Sequence, residues 1–349
     1  MKPVIFGLSG LTLTDDEKRL FRDVEPAGYI LFKRNIEDRA QVRALTDSLR
    51  ALHGRDDVPV LIDQEGGRVA RMRPPVWPDF PAGGAFDALY DLAPITAMEA
   101  ARCNAEAIAL SLNEVGINVN CLPVLDVRVP ETHSAIGDRA LGSDPMRVAS
   151  LGRSILDGLA AGGVIGVVKH MPGQGRASVD THHDLPHVTA SEADLEQDLA
   201  PFRALNTAAM GMTGHVVYDV WDDQNTATMS SFVIESIIRG RVGFDGLLMS
   251  DDLDMNALQG DVASRALRCV EAGCDIALNC WGRFDEMVAI AGMLPEITGA
   301  ARARLDRAMI LPATAFDADR LANVLDKRDQ LLALTDTKAK LTSGATGAA

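Results

Sequence analysis

The sequence predicts a single α/β barrel, a (β/α)8 TIM-type barrel with further helices at its C-terminal end. Three observations carry this. Eight short apolar runs alternate with helix-like stretches along 349 residues. The runs are rich in Val, Ile, Leu and Met without strict alternation, as suits parallel strands covered on both faces. Ionisable residues follow nearly every run, where a barrel gathers its active-site loops. A doubly wound sheet is the competing arrangement, but the Gly7 and Gly10 pair after the first run lacks the form of a dinucleotide loop.

The first strand is expected at residues 4–8, in a run too short for the apolar core of a secretory signal. Strands at 28–32 and 58–62 flank a helix over 36–52. A helix over 96–114, dominated by Ala and Leu, leads to a strand at 117–120. A helix over 145–161 precedes the strand at 166–169. The helix over 192–208 leads to a strand at 210–213, and the helix over 230–239 to a strand at 246–250. The helix over 262–272 leads to the last strand, at 275–278. Gly116, Gly162, Gly240 and Gly273 stand where helices should stop. Helical patterns over 285–293, 298–309 and 317–332 follow the barrel. No linker divides the chain, so residues 1–334 are read as one domain and residues 335–349, small and polar, as a flexible tail.

Asp and Glu number 49 against 34 Lys and Arg, a formal net charge of −15. That argues against a nucleic-acid or polyanion binder. Five unpaired-looking cysteines fit a reducing compartment. Cys269, Cys274 and Cys280 lie close in sequence but lack a C-x-x-C pair, and are read as buried packing residues. No stretch approaches 18 clean apolar residues, so no membrane span is expected and the cytoplasm is the expected location.

The informative polar residues are those after the strands: Asp63 and Glu65, Asp126, Lys169 and His170, His215, then Asp251, Asp252 and Asp254. Of seven histidines, six lie in such segments, namely His133, His170, His182, His183, His187 and His215. Residues 168–186 leave a strand into a glycine-bearing loop able to move over a ligand. In an extended loop Asp180 can orient His182, two residues on, as an acid/base pair requires. A metal site at His182, His183 and Asp184 is the alternative, but no second ligand motif accompanies it. Residues 243–257 deliver Asp251 and Asp252 at a strand end. Their side chains point apart, so Asp251 can face a cleft as a nucleophile while Asp252 holds the turn. In residues 61–74, Asp63 accepts from hydroxyls while Arg68, Arg71 and Arg73 supply donors. Arg139 offers either surface solvation or a clamp for an anionic or hydroxyl-rich ligand. Trp77, Phe80, Tyr218 and Trp221 offer a wall for a sugar or ordinary packing.

Taken together, LIDQEGGRVARM at 61–72, IGDRALG at 136–142, KHMPGQG from 169, the D-x-H pair at 180 and 182, and SDDLDM at 250–255 resemble bacterial beta-N-acetylglucosaminidases of the NagZ type, in glycoside hydrolase family 3. The likeness covers about residues 3–310. It implies a barrel that removes terminal N-acetylglucosamine with retention of the beta configuration. Asp251 is then the nucleophile, and His182 held by Asp180 the general acid/base. Asp63, Arg71, Arg139, Lys169 and His170 bind the sugar. The family loop commonly reads KHFPGHG, so Met171 and Gln174 depart from it. The implied substrate is N-acetylglucosaminyl-1,6-anhydromuramic acid, with or without its peptide, in cytoplasmic wall recycling by a monomer. No cofactor or metal is required. A phosphorylase using phosphate as acceptor is the alternative, since a histidine acid/base leaves room for an incoming anion.

Overall fold

A computed structural model of the protein describes residues 1–179, 185–310 and 314–344. Eight parallel strands form a closed barrel in sequence order: Lys2–Gly7, Pro26–Leu31, Val60–Ile62, Val119–Asn120, Ile165–Met171, Met210–Thr213, Leu247–Asp252 and Ile276–Asn279. The last strand returns to the first, with Val4 beside Ala277 and Ile5 beside Leu278. Each expected apolar run coincides with or overlaps one of these strands.

Why the runs do not alternate is visible in the packing. Ile5, Leu61, Val119, Val167, Met212, Met249 and Leu278 point into the lumen and form one buried cluster. Their neighbours Val4, Phe6, Val60, Ile62 and Val168 point outward, into the layer between strands and helices. Both faces are dry, so both positions are apolar. Leu305 and Ala308, from the helix Gly299–Ala308, join the lumen cluster and plug the barrel at the N-terminal ends of its strands. That leaves the C-terminal ends for chemistry.

Several elements were not anticipated. The helix Asp15–Val24 lies between the first two strands; the Thr14 side chain accepts from the Glu17 N–H, and Glu17 accepts from the Thr14 N–H at 2.8 Å. That T-x-x-E box is a legible start signal. A short helix, Gly83–Tyr90, follows the third strand. Three small strands, His187–Val188, Val217–Tyr218 and Asp222–Thr226, make a separate sheet. Residues Val233–Arg241 wind as a π-helix that overlaps the helix expected at 230–239 and runs past Gly240, its expected stop. The final helix, Ala318–Gly344, runs past residue 335, where the tail was expected to begin. It is docked through Arg320, which pairs with Glu106, and through Arg328, which donates to the Asp79 carbonyl at 3.0 Å. All five cysteines are buried and free, as the packing reading requires. Among the described residues no helix is long and apolar enough to cross a membrane.

Candidate active site

The C-terminal ends of the third, fifth and seventh strands meet around a cavity of about 240 Å³. Asp63, Arg71, Arg139, Lys169, His170 and Asp251, six of the eight expected site residues, line it, together with Glu65, Arg68, Gln174 and Met255. The other two, Asp180 and His182, lie outside the described residues, as does His183.

One wall is an ionic network. The Lys169 ammonium, at the end of the fifth strand, donates to Asp63 at 3.1 Å and approaches Glu65 at 2.7 Å. Arg71 donates to the other Asp63 oxygen at 3.0 Å. Arg139 grips Glu65 with two parallel bonds of 2.8 Å. Burial pushes the Asp63 and Glu65 carboxyls up, but Lys169 and Arg71 on one, and Arg139 and Lys169 on the other, outweigh it and hold both below the usual carboxylate range. Burial likewise opposes the charges of Lys169 and Arg139, and the two carboxylates more than restore them. Three cations therefore face three carboxylates once Asp251 is included. The wall offers charge-assisted hydrogen bonds to hydroxyls, not a net positive field. An acidic ligand would find its local cations already neutralised.

The opposite element is a chain of three side chains. Asp126, fully buried after the fourth strand, accepts from the His170 Nδ1 at 2.7 Å and from the backbone N–H groups of His170 and Gln174 at 3.2 and 2.7 Å. Burial raises the Asp126 carboxyl, but His170 and these donors bring it below its ordinary value. An ionised Asp126 can only accept, so Nδ1 carries a proton and Nε2 is left to face the cavity. Nε2 stands 4.0 Å from Asp251 Oδ2. The loop that carries these residues runs close to its neighbours: a Cβ on Gly175 would lie 1.8 Å from the Val127 carbonyl oxygen. The Lys169–His170 peptide is cis.

Asp251 and Asp252 diverge as their strand position requires. Asp251 lines the cavity, and its Oδ1 accepts from the Asp252 N–H at 2.8 Å. Asp252 turns away, accepting from Asp254 N at 3.3 Å, Cys280 N at 3.2 Å and the Trp281 indole at 3.1 Å. Burial pushes its carboxyl up to about 6; the N–H groups of Asp254 and Cys280 pull down against this and the Asp251 charge adds to it. His215 does not line the cavity. It is buried and bridges Thr228 and the Asp252 carbonyl, at 2.8 and 2.9 Å, with burial lowering its basicity. His133 and His187 lie in other contacts: His133 accepts from Ala135 N, and the half-exposed His187 pairs with Asp219.

Trp77, Phe80 and Tyr218 are buried in the core and Trp221 packs against it, so packing is their role. Arg73 holds its own turn through the Gly67, Arg68 and Ala70 carbonyls. Glu65 and Asp126 were visible as strand-end carboxylates; their partners, distant in sequence, were not. Met255 stood only as the last residue of the SDDLDM motif, with no role assigned, and Gln174 only as a departure from the family loop.

The glycosyl hydrolase family 3 N-terminal domain matches residues 7–309. The chain belongs to glycosyl hydrolase family 3. It is therefore a glycoside hydrolase, and within the family it stands with the beta-hexosaminidases. It is 38% identical over 328 residues to the beta-hexosaminidase of Bordetella pertussis, covering 92% of this chain and 91% of that one. Against the beta-hexosaminidase of Bordetella avium it is 37% identical over 283 residues, 80% of each chain. Its structure resembles NagZ from Neisseria gonorrhoeae in complex with N-trifluoroacetyl-D-glucosamine, with a TM-score of 0.85 and 31% identity over 96% of this chain and 98% of that one. The cavity described above lies at the C-terminal ends of the strands, where a barrel of this class carries its chemistry.

Proposed function

We propose that this enzyme is a retaining exo-beta-N-acetylglucosaminidase, with Asp251 as nucleophile and His182, oriented by Asp180, as acid/base. The observation that carries the reading is the Asp251 carboxylate, delivered by the seventh strand into a cavity walled by Asp63, Glu65, Arg71, Arg139 and Lys169. Ionised pairs of this kind suit a neutral sugar ring rich in hydroxyls, and among the described residues no Lys or Arg pairs with the Asp251 carboxylate. The resemblance to a structure bound to an N-acylated glucosamine supports the sugar's identity.

In the first step an Asp251 oxygen attacks the anomeric carbon from the face opposite the leaving group. The C1–O glycosidic bond breaks as His182 gives its proton to the departing oxygen, and a glycosyl ester on Asp251 remains. In the second, His182 takes a proton from water, whose oxygen attacks C1 and frees Asp251. Two inversions give net retention. An imidazole titrates near neutrality and serves both directions. The physiological substrate of this reading is N-acetylglucosaminyl-1,6-anhydromuramic acid, with or without its peptide, in the cytoplasm, and the working unit is a monomer. Phosphate as acceptor draws no support from the relatives described above, whose names are those of hexosaminidases.

Product analysis with that disaccharide tests the reading. Release of beta-configured N-acetylglucosamine before mutarotation, at a rate independent of phosphate and of chelator, is expected. N-acetylglucosamine 1-phosphate as the main product would overturn the hydrolytic assignment; an alpha-configured first product would overturn retention.

A further inference from the structure

We infer that Gln174 contacts the substrate directly: its side-chain carboxamide hydrogen-bonds an oxygen of the sugar held in the cavity and so sets specificity. The inference rests on the hexosaminidase reading and adds a residue to it.

Gln174 lines the cavity and is only 6% exposed. Its backbone is fixed, the N–H donating to Asp126 at 2.7 Å on the same carboxylate that orients His170. Its side chain is not fixed by any hydrogen bond among the described residues, and Oε1 is sealed from solvent without a partner. A buried amide oxygen left unpaired costs about 1–3 kcal/mol, and native structures rarely keep one without reason. The nearby Gln64 shows what a structural glutamine looks like here. It is 1% exposed, donates to the Met72 carbonyl at 2.8 Å, and accepts from Arg71 N and Met72 N at 2.8 and 3.0 Å. Gln64 is fully used by the fold, whereas Gln174 holds its amide in reserve at the sugar cavity.

Gly214 makes room for it. A Cβ at Gly214 would stand 2.8 Å from Gln174 Oε1 and 3.3 Å from the His170 Cβ. The amide is neutral, and by rotation it presents a donor or an acceptor to the cavity. A neutral ligand with hydroxyl and acetamido oxygens suits both. A site built to hydrogen-bond such a group rejects analogues that lack it, because its own polar atom is then left unpaired.

The experiment uses 4-nitrophenyl N-acetyl-beta-glucosaminide, its 3-, 4- and 6-deoxy analogues, and the corresponding beta-glucoside, which lacks the acetamido group. Gln174→Met keeps the length and removes the amide. It should lower kcat/KM for the full sugar about ten-fold and abolish the penalty of one analogue while leaving the other three. Its Tm should be equal or higher, since an unpaired group has been removed; a packing role predicts the opposite. Gly214→Ala, through its crowding of the amide, should reproduce the analogue pattern and add little to Gln174→Met. Unchanged kcat/KM, four undiminished penalties, or a loss of activity that follows a fall in Tm would overturn the inference alone. Failure of the unaltered enzyme to cleave the N-acetylglucosaminide would overturn the substrate reading and the inference with it.

Discussion

His170 presents its Nε2 to Asp251 Oδ2 across 4.0 Å, and it can do so because Asp126 binds the other ring nitrogen at 2.7 Å. The imidazole is thus locked in one tautomer beside the proposed nucleophile. Asp126→Asn can offer an amide N–H to Nδ1, which releases the tautomer and reverses the ring's preference. Turnover should fall by at least ~10-fold with a displaced pH–rate profile. An Asn variant with unaltered turnover and pH profile would show that the tautomer does not matter.

Asp251→Ala should fold, bind sugar and lose turnover by several orders of magnitude, roughly the scale expected when a covalent nucleophile is removed. An activated 2-fluoro sugar should leave its label on Asp251. A label on Asp252, whose carboxyl is committed to Asp254, Cys280 and Trp281, would reverse the assignment.

Asp180 and His182 are tested through leaving groups. His182→Ala should hurt glycosides with poor leaving groups most, because only these need a proton to depart. Asp180→Ala should give the same pattern more mildly. A loss that is uniform across the series, measured on glycosylation, would argue against an acid role. The selective pattern appearing with His183→Ala instead would move the role to His183.

Glu65 answers to stability as well as to binding. Glu65→Gln leaves Lys169 and Arg139 buried with one carboxylate fewer, at a cost of about 3–5 kcal/mol. The folded-state carboxyl is depressed below its ordinary 4.5. Its stabilisation is therefore complete above that value and is lost as the pH falls below it. Denaturant unfolding should show a constant gap between parent and variant above pH 5 and a shrinking gap below about pH 4.5. A gap that stays level into acid would show that Glu65 is not held ionised by its partners.

The barrel was legible because its strands are buried on both faces, and dry positions such as Val4, Ile5 and Phe6 need no polar partner anywhere along the run. Position after a strand likewise marked Asp63, Lys169, His170 and Asp251 as neighbours in space, since barrel closure brings all strand ends to one rim. The helix Asp15–Val24 was not anticipated, although its Thr14–Glu17 cap is a start signal present in the sequence. The two-residue strands His187–Val188 and Val217–Tyr218 are too short to leave any period. Pairing was decided by tertiary structure. Lys169 meets Asp63 across 106 residues, Arg139 meets Glu65 across 74, and His170 meets Asp126 across 44. Nothing local fixes which cation neutralises which carboxylate, because each contact depends on side chains from different strand ends converging in a space that water has left. The same convergence decides that Gln64 is satisfied and Gln174 is not, although both are buried glutamines at the rim of one barrel.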